Sequence, residues 1–264
     1  MRWYPPRSDD RSPGQPALLW LHGGGFFRGG PDIPEAHDVA ESLAHQGITT
    51  VTVSYRLAPP PGMPWLRSVG GRPRGRYPLP LDDVLAAFHE VNARSTHGVI
   101  VGGASAGACL AAAAILRALD EGAKPAGAVL AYGFFHAKHP RPLAAQRSRG
   151  HRRITHAPWA LDIANRNYAG SRGALVERLA FPGGHELHGF PRTIMLSAEQ
   201  DNMRASGDRF AAELAESGTD VQHHVLPGTR HAFLNRPDAE AFGVATTLIA
   251  AWARHDHIRA SDAP

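Results

Sequence analysis

An α/β architecture, with a mostly parallel sheet between layers of helix, is the fold class that this 264-residue sequence predicts. Short apolar runs alternate with amphipathic or alanine-rich ones along nearly the whole chain. Most of those runs are apolar throughout, as strands buried on both faces must be. The length, with 43% hydrophobic and 8% aromatic residues, suffices for one full core, so a single domain over 1–264 is expected.

Taken in order, residues 17–21, 48–54, 98–102, 127–132, 192–197 and 220–226 read as strands. Between them 34–46, 81–94, 106–120 and 203–217 read as helices, and 239–254 closes the chain with another. Two stretches break the rhythm. Residues 59–77 are rich in Pro, Gly and Arg, show no apolar period, and read as a long surface loop. Residues 134–190 carry one clear helix at 158–168 and rise from the carboxyl edge of the sheet. That edge holds the ligand in open α/β sheets, so this segment is a candidate lid or pocket wall, or else a connection that only covers the sheet.

Composition narrows the function classes. The net charge is +4, but the arginines are scattered through loops, with no RNA-reading motif and no row of interleaved aromatics, so no nucleic-acid partner is expected. The longest apolar run is broken by Arg117 and is too short to cross a bilayer, so no stable membrane insertion is expected. Met1-Arg2-Trp3-Tyr4-Pro5-Pro6 has no apolar signal core, and the only cysteine, Cys109, lies where a helix should be buried. A cytoplasmic location follows as the expectation.

Gly103-Ala104-Ser105-Ala106-Gly107 stands where a strand turns into a helix. Glycines two residues to either side of a serine permit a turn too tight for Cβ atoms, and such an elbow exposes the serine oxygen beside the helix start. A serine hydroxyl needs a base, and the base needs an acid to orient it. Asp201 and His231 each follow a later strand, on the edge where Ser105 lies. His223, His224 and Asp220 sit within or before a strand and fit less well; Glu199 is a reserve acid. Leu21-His22-Gly23-Gly24-Gly25-Phe26 follows the first apolar strand, and its backbone N–H groups at Gly24 and Gly25, with that of Ala106, are the candidate donors to an oxyanion. Phe26, Tyr132, Phe134, Met203 and Phe233 are the candidate pocket residues. No metal site or cofactor is expected.

These motifs, together with Ser54-Tyr55-Arg56-Leu57-Ala58-Pro59 and His231-Ala232-Phe233, resemble the hormone-sensitive-lipase-like branch of the α/β-hydrolases over about residues 17–255. The resemblance implies a carboxylic-ester hydrolase acting on short acyl chains of a small-molecule ester through an acyl-enzyme, without cofactor. It also implies that His22 supports the oxyanion loop and that Tyr55, Arg56 and Asp83 brace it. Three departures stand out. Ala104 and Ala108 replace a frequent Asp and Gly, Pro60 replaces a frequent Glu, and the first motif begins at His22, ahead of which relatives carry strands and a helical cap. An amino-terminal cap is therefore expected to be short or absent, and the pocket more open or walled by 134–190. Three alternatives stay open: an amide hydrolase of the kynurenine-formamidase kind, a carbohydrate acetyl esterase, and a non-catalytic binding protein on the same fold. A homodimer is compatible with the sequence.

Overall fold

Runs of Leu, Val and Ile become strands because each must bury both faces. The protein is represented by a computed structural model that describes residues 1–7 and 14–254; positions 8–13 and 255–264 of the expected domain lie outside the described residues. The main sheet has seven strands: β1 (Arg2–Tyr4), β2 (Ala17–Leu21), β3 (Thr50–Thr52), β6 (Val99–Ala104), β7 (Gly127–Ala131), β8 (Thr193–Gln200) and β9 (Val221–Arg230), in the spatial order β1-β3-β2-β6-β7-β8-β9. Every pairing is parallel except that of β1 with β3, where Arg2 faces Thr52. The expected α/β sheet is therefore present.

Helices cover both faces. The core on one side holds residues of α2 (Leu79–Arg94), α3 (Ala106–Asp120) and α6 (Arg204–Glu216), and on the other those of α1 (His37–His45) and α7 (Glu240–Arg254). Helix α3 is buried from Ala106 to Leu116, and its alanines are what let it lie in the densest part of the core.

Four departures from the sequence reading have plain causes. Strand β1 has only three residues, two of them exposed, and offers no apolar run to detect. The 59–77 stretch is not structureless: β4 (Ser68–Val69) and β5 (Arg72–Pro73) form a hairpin around Gly70 and Gly71, both at positive φ as a tight turn of this hand requires. Strands β8 and β9 run past their expected ends, to Gln200 and Arg230, because edge pairing tolerates Pro227 and Gly228 in β9. The 134–190 segment contains α5 (Pro158–Ala169), as expected, and also a four-residue helix, α4 (Arg152–Thr155), too short to leave a period.

The turn from β6 into α3 is a close backbone junction. A Cβ on Gly107 would stand 2.4 Å from the carbonyl oxygens of both Leu21 and His22, and one on Gly103 2.6 Å from the backbone of Gly107. Ser105, between them, is held at φ 54. Gly107→Ala is expected to destabilise the fold by about 3 kcal/mol, because backbone, not a flexible side chain, must give way. Gly243→Ala, in the open first turns of α7 with nothing near its Cβ, is expected to stabilise it by about 0.5–1 kcal/mol. Urea unfolding of both variants checks the pair, and a neutral Gly107→Ala would contradict the packing described.

Candidate active site

Four strands end at one place. Residues that follow β2, β6, β8 and β9 meet there, and the longer course of β8 and β9 makes Asp201 and His231 the first residue after each strand. Ser105 Oγ lies 3.0 Å from His231 Nε2, and His231 Nδ1 lies 2.6 Å from Asp201 Oδ2. All three side chains are buried, with Asp201 fully so. Burial alone would raise the Asp201 pKa, yet the neighbouring His231 charge, its hydrogen bond and the Met203 N–H together hold the carboxyl below its ordinary value. Glu199 is turned away: its Oε2 accepts the Gly228 N–H at 2.9 Å. His223 bonds Ser197.

The glycine loop after β2 is built around donors. Gly24 and Gly25 have φ of 117° and 62°, conformations that side chains resist. The N–H groups of Gly24 and Gly25 have no protein acceptor among the described residues, and that of Ala106, the first residue of α3, has no intrahelical one. Gly23 differs, since its N–H donates to Glu35 Oε2 at 2.6 Å. The His22 ring stacks on Tyr55, its Nδ1–H donates to the Gly23 carbonyl at 2.7 Å, and Tyr55 donates its hydroxyl to the His22 carbonyl at 2.6 Å. Arg56 in turn grips Asp83 with Nε and Nη2, both at 2.8 Å. The Ala58 N–H reaches the Phe26 carbonyl at 2.8 Å.

Glu35 went unnoticed in the sequence. It is 2% exposed and accepts from Gly23 N–H, from the Tyr132 hydroxyl at 2.6 Å and from Asn235 Nδ2 at 3.1 Å. Its own carbonyl accepts from the Trp20 indole at 2.7 Å. Tyr132 then presents its ring edge to His231, 5.0 Å between centroids. One carboxylate thus braces the glycine loop and the ring beside His231, and no spacing in the sequence announces a contact made across such distances.

A cavity of about 660 Å³ opens over Ser105 and His231. Phe134 and Met203 line it as expected. Phe26, Tyr132 and Phe233 do not: they lie behind the site, Phe26 stacked on Tyr168 at 4.0 Å and Tyr132 edge-on to Phe233 at 4.8 Å. These aromatics serve the core instead, Phe26 in the cluster on one face of the sheet and Tyr132 and Phe233 in that on the other. The opposite wall is His151, Arg152, His156, Trp159 and Leu161 from the 134–190 segment. That segment is tied to the site by several hydrogen bonds, among them those of Asn202 with Ser148, His139 and His156. Asn202 Nδ2 donates to the His156 carbonyl at 2.7 Å, and Arg152 Nη1 donates to the His231 carbonyl. The His156 ring stands edge-on to His231 at 4.8 Å, and burial, reinforced by the His231 charge, lowers its pKa to about 3. His156, Asp201 and His231 bring three ligand-type atoms within 4.8 Å of one another, but Asp201 and His231 already hold each other.

Two measurements test this geometry. Burial lowers the His22 pKa from 6.5 to about 4, against the raising effect of the Gly23 carbonyl. A depressed folded-state value means that the unfolded chain takes up the proton first as pH falls. The stability tied to the neutral ring is whole above about pH 6.5 and is lost toward pH 4, by about 2 kcal/mol between pH 7 and 5. The urea midpoint of His22→Asn should therefore change less between those pH values than that of the unaltered protein; equal changes would contradict the burial. Glu35→Ala, which strands three donors, should cost about 3 kcal/mol, and Glu35→Gln, which keeps one acceptor, clearly less. The reverse order in denaturation would refute the network.

The fold and this arrangement have known counterparts. A family model for the α/β-hydrolase fold matches residues 72–235. An ethyl acetate hydrolase of Pseudomonas putida is 30% identical over 89% of this chain and 71% of its own length. Among solved structures, an esterase of Pyrobaculum calidifontis is 26% identical and superposes with a TM-score of 0.79, over 96% of this chain and 79% of that one. A hormone-sensitive lipase from a metagenome library is 25% identical with a TM-score of 0.74, over 90% and 77%. The chain belongs to the α/β-hydrolase fold family, on its hormone-sensitive-lipase-like branch.

Proposed function

We propose that the protein is a serine carboxylesterase that hydrolyses short-chain acyl esters of small molecules through an acyl-enzyme. As a member of this family it is a carboxylic-ester hydrolase; the roles given to individual residues and the choice of substrate are our reading. The observation that carries it is the hydrogen-bonded file Ser105–His231–Asp201 on the floor of the cavity, beside unpaired backbone N–H groups.

Ser105 Oγ attacks the ester carbonyl carbon while His231 Nε2 takes the hydroxyl proton. The carbonyl oxygen becomes an oxyanion, and the N–H groups of Gly24, Gly25 and Ala106 are the donors that stabilise it; each such donor is worth about 3 kcal/mol in the transition state. Asp201 keeps His231 in the tautomer with Nε2 free and balances its cation. Collapse breaks the bond to the alkoxy oxygen, which leaves as an alcohol with the proton from His231. Water then repeats the attack on the acyl-Ser105 ester, with His231 as base, and releases the acid.

Phe134, Leu161 and Met203 give the acyl chain an apolar wall, and the 134–190 segment acts as the far side of the pocket. Among the described residues no helix is long and apolar enough to cross a membrane. The buried, unpaired Cys109 supports a reducing, cytoplasmic location.

The test is hydrolysis of a p-nitrophenyl acyl series from two to twelve carbons, with N-formylkynurenine in parallel. Short esters should be cleaved best, and Ser105→Ala should lower kcat by at least about 10⁴-fold. Preference for the formamide would move the assignment to an amidase. A folded protein inert to every substrate and to a fluorophosphonate would leave Ser105 an unactivated serine on a binding protein.

A further inference from the structure

Charge around the cavity is one-sided. Arg28 and Arg152 line it, with Arg230 and Arg236 close enough for their charges to act on Arg152. Among the described residues none of the four has a carboxylate partner. Among the described residues the one carboxylate lining the cavity, Glu35, already accepts from Gly23, Tyr132 and Asn235, and Asp201 behind it is committed to His231. Both lining arginines are carried by the elements that flank Ser105. Arg28 belongs to the glycine loop, where its N–H donates to the Gly24 carbonyl and its guanidinium lies 5.9 Å from the Phe27 ring centre. Arg152 is tethered to the His231 carbonyl through one of its five N–H donors. It is half-buried, and burial together with Arg236, Arg230 and Arg28 pushes its pKa down, against the raising effect of the Asp201 charge. Arg28, Arg230 and Arg236 are exposed, so the cost of gathering like charges without a paired carboxylate falls on the half-buried Arg152, and the planar fork of arginine fits a carboxylate. Phe134, Leu161, Ile163 and Met203 add an apolar part to the wall, beside polar residues such as Thr155 and His156.

The geometry points to an anionic ester as the substrate: an apolar acyl ester that carries a carboxylate on its acyl or its alcohol part, held by Arg152 and Arg28 while Ser105 attacks. This rests on the esterase reading above and adds the chemical class of what is hydrolysed. The carboxylate enters ionised and leaves ionised; it replaces the missing counter-charge and takes no part in bond breaking.

The experiment compares matched pairs on the whole protein at low ionic strength. On the acyl side the mono-4-nitrophenyl ester of glutaric acid is set against 4-nitrophenyl hexanoate; on the alcohol side 4-acetoxybenzoate is set against 4-acetoxybenzamide. The readout is the ratio of kcat/KM, anionic over neutral, so that a general loss of activity cancels. On at least one side the ratio should exceed about tenfold and fall several-fold in about 0.5 M salt, where charges on a solvent-connected site are screened. Arg152→Gln and Arg28→Gln should lower it, and Arg28→Lys should retain more of it than Arg28→Gln. Should a variant fail to fold, the salt series on the unaltered protein still decides. Cleavage of the neutral esters with a ratio at or below one on both sides overturns the anionic substrate and leaves the esterase standing. No cleavage of either class, with Ser105 inert to a fluorophosphonate, overturns the esterase reading and this inference with it.

Discussion

The approach of helix α3 to the end of strand β2 is the constraint on which the rest of the site depends. Only because Gly103 and Gly107 lack side chains can the start of α3 come up against the carbonyls of Leu21 and His22. That contact sets the Ala106 N–H beside the loop that carries Gly24 and Gly25, and it forces Ser105 into a conformation that serine ordinarily avoids. Strain of this kind is not confined to one residue. The non-glycine residues at positive φ among those described are Phe26, Ser105, Tyr132 and Ala232, and all four stand at or just beyond the carboxyl ends of sheet strands around the cavity. The sheet and its two helical layers hold these conformations in place, which is how backbone strain persists at a functional site.

A second layer of support comes from polar groups buried behind the glycine loop. His22, Tyr55, Arg56 and Asp83 form one line of braces, and Glu35, Tyr132 and Asn235 form another. Their common feature is that each fixes a backbone group or a ring and leaves Ser105 and His231 to each other. Donors that point into the cavity without a partner are affordable only because those behind it are satisfied.

Much of this was legible in the sequence, and what was legible shares a cause. The elbow at 103–107, the glycine loop and the two residues after β8 and β9 are local: each is a short string whose composition follows from the turn it must make. Strand and helix types were readable for the same reason, from runs of apolar residues long enough to show a period. Contacts made across the fold left no such trace. Glu35 reaches Gly23, Tyr132 and Asn235 from a stretch that reads only as a helix start, and α4 has four residues, fewer than two turns. Phe26, Tyr132 and Phe233 were indistinguishable from pocket residues because an aromatic at a strand end can face either way, and the direction is set by neighbours far along the chain, such as Tyr168.

The ties between the 134–190 segment and the site, such as those from Asn202 to the His156 carbonyl and from Arg152 to that of His231, have a bearing on how such a protein can change. A wall joined to the loops that carry Asp201 and His231 is not an exchangeable module. Grafting a longer or differently shaped segment onto this scaffold would release Asn202 and the His231 carbonyl from their partners and loosen both loops. Specificity and chemical competence are therefore inherited together in this chain.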